Sequence, residues 1–121
     1  MIFDREKKAI ETFVNTFGGS YQKLDPLDVD FKIFNEDKKL IAYAEIVNRS
    51  RNIRNAYPLS VPISKMSKLI DKRITSVVIW CCDDGIIYGR PTHLRGEVMQ
   101  SDDEIVAFYE KQKGLKYVRF K

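Results

Sequence analysis

The segment that decides the fold reads VDFKIFNEDKKLIAYAEIV and spans residues 29–47. Its first part alternates, with apolar side chains on one face and Asp30 and Lys32 on the other, as in a strand with one buried face. A polar turn then leads into residues 40–47, a nearly continuous apolar run that is typical of a central strand buried on both faces. The segment therefore predicts a β-hairpin in the middle of a sheet.

The flanking segments alternate between helical and strand patterns, which predicts one mixed α/β domain over residues 1–121. The capping-box pair Ser101 and Glu104 predicts a helix near the C-terminus. The expected order is α-β-β-β-α-β, then a hairpin strand, a helix and a strand, with one mixed central sheet flanked by helices. The segments are helix 3–17, strands 20–24, 29–34 and 40–47, helix 64–73, strand 76–82, the hairpin strand after Asp84-Gly85, the helix carrying Ile105, Val106, Phe108 and Tyr109, and strand 116–120.

The composition favours a cytoplasmic protein and excludes several chemistries. Of the 121 residues, 44% are hydrophobic and 31% charged, and the longest apolar run, 77–82, is far too short for a membrane helix. The charged N-terminus MIFDREKK lacks the apolar region of a secretion signal. Cys81 and Cys82 are adjacent, so they indicate a reducing compartment rather than a disulfide framework. With His93 they supply only three of the four ligands of a structural zinc site.

Positive charge is concentrated in the middle of the chain. The net charge is +4, and residues 49–73 alone contain seven basic residues against the single acid Asp71. A basic stretch of this kind is what a polyanionic partner needs, because contacts to phosphates release condensed counterions. The charge distribution therefore points to nucleic acid, although a solvated basic surface has the same composition.

Three carboxylates stand where the pattern expects apolar or surface residues. Glu45 ends the buried strand, Asp30 begins its hairpin partner, and antiparallel pairing brings both to the same end of the sheet. Two such carboxylates with main-chain carbonyls form a hard oxygen site suited to Mg²⁺ or Mn²⁺. Asp28 has the same parity as Asp30 and is the alternative ligand. Glu6 falls inside the apolar stripe of the first helix, where it is either a site residue or part of a frayed first turn.

At these residues the chain resembles the PD-(D/E)XK nuclease superfamily, which has the restriction-endonuclease-like fold. Its core order is α-β-β-β-α-β, with an aspartate on the second strand, which matches Asp30, and an E-x-K on the third, which begins at Glu45. The resemblance implies a metal site formed by Asp30, Glu45 and Ile46, holding Mg²⁺ or Mn²⁺. It also identifies Glu6 with the first-helix glutamate of many members.

One position departs from the superfamily pattern. The lysine of E-x-K is replaced by Val47, which has neither a charge nor a donor. Lys32 shares the face of Asp30, and Lys65 begins the next predicted helix, so either one can supply the missing charge. The resemblance thus implies a catalytic set of Asp30, Glu45, Lys65, Lys32 and Glu6. The basic residues expected to hold nucleic acid are Arg49, Arg51, Arg54, Lys65 and Lys68.

The expected function is metal-dependent DNA endonuclease activity of low sequence specificity. Plain duplex, branched, damaged and single-stranded DNA all suit a basic groove, and there is no helix-turn-helix or finger to read bases. The alternative is a catalytically degenerate member that binds nucleic acid or a partner protein. Similar small nucleases often act as C2 dimers, so a homodimer is a further expectation. The apolar residues considered for its interface are Ile86, Tyr88, Phe108 and Tyr109, for which core packing is the competing interpretation.

Overall fold

The computed structural model describes residues 4–24, 30–70 and 73–121. These residues contain two α-helices, nine strands and two short 3₁₀ turns. The helices are α1 (Asp4–Asn15) and α2 (Ile63–Ile70), and the 3₁₀ turns are Ile53–Asn55 and Pro91–His93. The strands are β1 (Ser20–Lys23), β2 (Phe31–Phe34), β3 (Leu40–Asn48), β4 (Leu59–Pro62), β5 (Thr75–Cys81), β6 (Gly85–Gly89), β7 (Glu97–Ser101), β8 (Glu104–Tyr109) and β9 (Lys116–Arg119).

A mixed six-stranded sheet with the order β1-β2-β3-β5-β6-β9 forms the centre of the fold. The hairpin β2–β3 is antiparallel, as its turn predicted, and pairs Phe31 with Ala44. Strands β3 and β5 are parallel, and the chain between them passes through α2. The hairpin after Asp84-Gly85 and the edge strand β9 are likewise confirmed. The prediction of an α/β chain with a mixed central sheet is therefore confirmed.

Each face of this sheet is covered by a different layer. Helix α1 packs its buried face, including Ile10 and Phe13, on Ala44 and Ile46 of β3. Residues of the opposite parity in β3, Tyr43 and Val47, pack toward α2 and the small sheet. Since successive side chains of a strand alternate between faces, Glu45 is directed toward the α2 side. Its burial there follows from the position of β3 in the middle of the sheet.

The predicted C-terminal helix is wrong. Strands β7 and β8 form an antiparallel hairpin there, and β8 also pairs with β4 in a three-stranded sheet of order β4-β8-β7. The two residues of the predicted capping box, Ser101 and Glu104, are register partners in the β7–β8 hairpin. The segment from Glu104 to Tyr109 is rich in β-branched and aromatic residues, which favour strands when neighbours are available for pairing. Pairing with β4, a strand that the sequence analysis did not predict, makes the strand the stable form.

The burial of the C-terminal apolar residues bears on the homodimer interface that was considered for them. Ile86 and Tyr109 are buried in the two cores, and Tyr88 packs against the core on the α1 side. Phe108 is half-buried. Core packing is therefore the correct interpretation of Ile86 and Tyr109, and these two side chains are not available to a partner chain. Within the described ranges, no helix has the length and apolar character needed to cross a membrane.

Candidate functional site

Asp30 and Glu45 meet where β2 begins and β3 approaches its end. Two hydrogen bonds hold them together: the Asp30 main-chain N–H donates to Glu45 Oε1 at 3.2 Å, and the Ile46 N–H donates to Asp30 Oδ2 at 2.8 Å. Each carboxylate is therefore fixed by the main chain next to the other. The sequence prediction that antiparallel pairing brings these two side chains together agrees with this geometry. Asp28, the alternative ligand, lies outside the described residues.

Glu45 is in an unfavourable environment for a carboxylate. Its relative exposure is 1%, and its Oε2 is the one buried side-chain polar atom in the described part of the chain that lacks a hydrogen-bond partner. Burial raises the pKa of Glu45 to about 7, the charge of Asp30 adds to that rise, and Lys65 opposes it. An ionised group without a full set of partners costs free energy in the interior, so the charged form of Glu45 is only partly compensated by its neighbours.

Lys65 reaches this pair from the first turn of α2. Its Nζ donates to the Ile46 carbonyl at 2.9 Å and lies 3.8 Å from Glu45 Oε2. The second distance is an ion pair but too long for a hydrogen bond. The crossover from β3 through α2 thus returns a lysine to the end of the strand that carries Glu45. Lys68, one turn further along α2, also lowers the pKa of Glu45 through its charge.

A second lysine, which the sequence pattern did not single out, also belongs to this site. Lys23, the last residue of β1, has its Nζ 3.5 Å from Asp30 Oδ1 and 3.9 Å from Glu6 Oε2. It is paired in register with Phe31 and lies over the ring of Phe31 at 4.9 Å. The sequence carried a signal for it, because the end of an antiparallel β1 must meet the start of β2. Lys23 connects Glu6 to the carboxylate pair, so the unexpected charge in α1 has a partner.

Of the two lysines proposed to replace the one missing at Val47, the structure brings Lys65 to the carboxylates. Lys32 is half-buried opposite Tyr43, and within the described residues it makes no ion pair. Val47 lies two residues after Glu45, on the same face of β3, and packs against the apolar cluster of the α2 side. The structure therefore places a lysine of α2, and none of β3, beside the carboxylates.

The oxygen atoms of this arrangement fit a hard divalent cation. Glu45 Oε2 accepts no hydrogen bond from the described residues, Asp30 Oδ1 faces the Lys23 ammonium, and the Ile46 carbonyl has a second lone pair. Mg²⁺ is commonly held by one or two carboxylates and completes its shell with water. No group of three or more His, Cys, Asp or Glu side chains suited to a metal occurs in residues 4–24, 30–70 and 73–121, so any ion here relies on two carboxylates, a carbonyl and water.

A cavity of about 270 Å³ opens beside the Ile46–Lys65 contact, with Arg5, Glu6, Asn48 and Cys81 as its other lining residues. Its volume has room for water and a phosphate group beside Ile46 and Lys65. Burial raises the pKa of the Cys81 thiol, and that of Cys82 to about 11. Both thiols are therefore protonated at neutral pH and are poor nucleophiles.

The basic loop after β3 divides into two kinds of arginine. Arg49 is half-buried, and its guanidinium donates to the carbonyls of Ala56 at 2.8 Å and Pro58 at 3.4 Å, so it holds the loop together. Arg51 and Arg54 are exposed. Of the three arginines expected to bind nucleic acid, Arg51 and Arg54 therefore have side chains directed to solvent, whereas Arg49 is engaged within the protein.

Comparison with known proteins gives no family that matches this chain, no curated protein that matches it and no solved structure that matches it. Its chemistry must therefore be inferred from the fold and from the site around Glu45.

Proposed function

We propose that this protein is a Mg²⁺- or Mn²⁺-dependent DNA endonuclease related to the PD-(D/E)XK superfamily. The observation that carries the proposal is the buried Glu45 Oε2, which accepts no hydrogen bond from the described residues and lies beside Asp30 and a lysine. A carboxylate pair in which one oxygen is buried and unsatisfied is destabilised, and a divalent cation would relieve that cost. A divalent cation beside a basic loop is suited to phosphodiester hydrolysis.

The topology supports this assignment. Helix α1 covers one face of the sheet order β1-β2-β3-β5, and α2 lies on the other face in the crossover between the parallel strands β3 and β5. The superfamily core has this α-β-β-β-α-β order. The chain departs from it by inserting β4 between β3 and α2 and by adding the hairpin β7–β8.

Each residue of the site has a distinct role in the proposed reaction. Asp30, Glu45 and the Ile46 carbonyl would hold the ion. When bound, the ion polarises the phosphate and lowers the pKa of the attacking water. The Lys65 ammonium stabilises the negative charge that develops as the water loses its proton. Lys23 orients Asp30 and Glu6 through its two ion pairs.

The direct test is cleavage of supercoiled, branched and single-stranded DNA with Mg²⁺ or Mn²⁺, compared with the same protein in EDTA. We expect cleavage only with the divalent ion, and its loss in Asp30→Asn, which keeps the size of the side chain but removes its charge. Glu110→Gln, a surface acid on the small-sheet side, is the matched control and is expected to cleave like the wild type. Folded protein that cleaves none of these substrates with either ion would contradict the proposal.

Neutralising Arg51 and Arg54 together should weaken DNA binding without abolishing it. If each arginine binds one phosphate of duplex DNA, the slope of log K against log salt should fall by about 0.9 for each phosphate that is no longer neutralised. The control is Lys111→Ala/Lys113→Ala, which removes the same charge from an exposed loop after β8. An unchanged slope in Arg51→Ala/Arg54→Ala, measured by fluorescence anisotropy over a salt titration, would remove the loop from the binding surface.

A catalytically inactive DNA- or protein-binding domain is the second candidate, and Val47 favours it. Val47 packs in the apolar cluster where the superfamily has its lysine. Under this candidate the ion pair between Lys65 and Glu45 is a structural substitute for the metal. The cleavage assay distinguishes the two candidates, because only the nuclease cleaves DNA when the divalent ion is added.

A further inference from the structure

A second cavity, of about 640 Å³, lies on the loop between β3 and β4, close to the candidate site. We call it the loop cleft. Its lining residues come from the loop and from the turn after β5 and are Arg51, Asn52, Arg54, Asn55, Tyr57 and Asp83. The arginines of this segment led to the expectation of phosphate binding, but the cleft contains amides, an aromatic ring and a carboxylate as well.

The backbone of the loop is held in place by contacts that do not involve a ligand. The Ile53 N–H donates to Asp84 Oδ1 at 2.8 Å, and the Asp83 N–H donates to the Arg51 carbonyl at 2.9 Å. Ile53 is buried in the core of the α2 side, as is Ala56, whose carbonyl accepts from Arg49. A loop fixed in this way has already lost its conformational entropy before any ligand arrives, so binding does not incur that cost.

The side chains on this fixed loop are unengaged. Arg51, Asn52, Arg54 and Asn55 are exposed, and within the described residues none of the four makes a side-chain hydrogen bond or an ion pair. Asn52 even occupies the N-cap position of the 3₁₀ turn without capping it. A rigid backbone that presents four free polar side chains to one cleft is the arrangement of a preorganised binding surface.

These groups match a nucleobase together with its phosphate. Guanidinium groups bind phosphates, while side-chain amides offer a donor and an acceptor that fit the edge of a base. Tyr57 offers part of an aromatic ring, a surface on which bases stack. The Asp83 carboxylate would repel a phosphate but accepts hydrogen bonds from exocyclic amino groups. We propose that the loop cleft binds an unpaired nucleotide, so that the substrate of this protein contains single-stranded DNA.

Arg5 connects the loop cleft to the candidate site. Its Nη1 lies 3.3 Å from Asp83 Oδ1, and Arg5 also lines the cavity beside Ile46 and Lys65. A strand held in the loop cleft would therefore pass close to the carboxylates, and this connection rests on the proposed nuclease function. In a regular duplex the Watson–Crick edges are already paired, so only an unpaired base can offer them to Asn52 and Asn55.

Binding in EDTA tests this inference without requiring cleavage. The probes are a labelled mixed-sequence single strand, an abasic single strand with the same number of phosphates, and the corresponding blunt duplex. We expect wild-type protein to bind the mixed-sequence strand about tenfold more tightly than the abasic one, as one recognised base can supply. Asn52→Ala/Asn55→Ala should reduce that difference and leave abasic binding unchanged, because the amides contact only the base, whereas Arg51→Ala/Arg54→Ala should weaken binding of both strands. Asn15→Ala, an exposed amide at the end of α1, is the control.

Equal affinity of the wild type for the base-bearing and abasic strands, or tighter binding of the duplex, would overturn the inference. The outcome is separable from that of the proposed function. Preference for the base-bearing strand together with no metal-dependent cleavage would support the cleft and reject the nuclease. Metal-dependent cleavage together with no preference for bases would support the nuclease and reject the binding of an unpaired nucleotide in the loop cleft.

Discussion

Replacing Glu45 with glutamine is expected to abolish metal-dependent cleavage while leaving the protein folded. The substitution keeps the shape of a side chain that is 1% exposed but removes the charge that a divalent ion needs. Mn²⁺ affinity should fall in parallel, which calorimetry measures directly. Glu110→Gln is again the matched control. If Glu45→Gln unfolds the protein, Glu45 belongs to a structural ion pair with Lys65, and the metal site is wrong.

The same variant should change how stability depends on pH when EDTA keeps the site free of metal. The pKa of Glu45 is raised from 4.5 to about 7 in the folded protein, so the folded state holds the proton more tightly than the unfolded chain. This contribution to stability is fully present below pH 4.5 and is lost as the pH rises to about 7. At about 1.4 kcal/mol per pKa unit, the wild type should lose roughly 3 kcal/mol of unfolding free energy from this group.

Glu45→Gln does not show that decrease, since its amide does not ionise. Urea unfolding at pH 5 and pH 8 in EDTA should therefore show that the free energy of unfolding of the variant increases relative to that of the wild type as the pH rises. Mn²⁺ should restore the wild type at pH 8 and have little effect on the variant. A stability difference that is independent of pH would mean that Glu45 ionises without penalty, and its burial would then give no reason to expect a cation.

Truncating Lys65 is expected to reduce cleavage by about 10²–10⁴, the usual contribution of a positioned acid–base or charged group. Lys65 is the lysine that lies within 3.8 Å of Glu45 Oε2 and donates to the Ile46 carbonyl. Because its side chain is partly exposed, Lys65→Ala should keep the fold, which circular dichroism checks, and any loss of DNA binding, measured by anisotropy, is separated from the loss of cleavage by working at saturating DNA. Lys113→Ala is the matched control, and Lys32→Ala should also cleave normally.

A lysine placed at position 47 should restore activity to the Lys65→Ala variant. Val47 shares the face of Glu45 two residues away on β3, so Val47→Lys directs an ammonium toward the same carboxylates. The reduced apolar burial costs on the order of 1–3 kcal/mol, which urea unfolding of the single variant measures. In the wild-type background Val47→Lys should change the rate little. If instead it creates activity where the wild type has none, the natural protein is a degenerate nuclease.

Local pattern was sufficient to predict the half of the chain that forms the site. Alternation in residues 29–34 and the apolar run at 40–47 specify a hairpin because side chains on a strand repeat every two residues. That hairpin predicted that Asp30, with Asp28 as the alternative, lies near Glu45, and Asp30 does so in the structure. The single charge in a buried strand also marked Glu45 as the residue whose environment would need a partner.

The local sequence pattern was misleading where a segment can form either a helix or a strand. Residues 104–109 combine helical spacing with strand-forming residue types, and the choice depends on whether a neighbouring strand is present. Strand β4 supplies that neighbour from more than forty positions earlier in the chain, in a segment of four residues that ends in Pro62. No local window contains this information.

The sequence by itself determined the central hairpin, the carboxylate pair and the concentration of positive charge after β3, because each depends on residue types and short spacings. Tertiary structure decided which cations reach the carboxylates, and it chose Lys23 and Lys65 rather than Lys32. It also decided that Arg49 holds the loop while Arg51 and Arg54 face solvent. The physical reason is that a long cationic side chain pairs with whatever lies within a few ångströms, and that distance is set by the packing of separate elements.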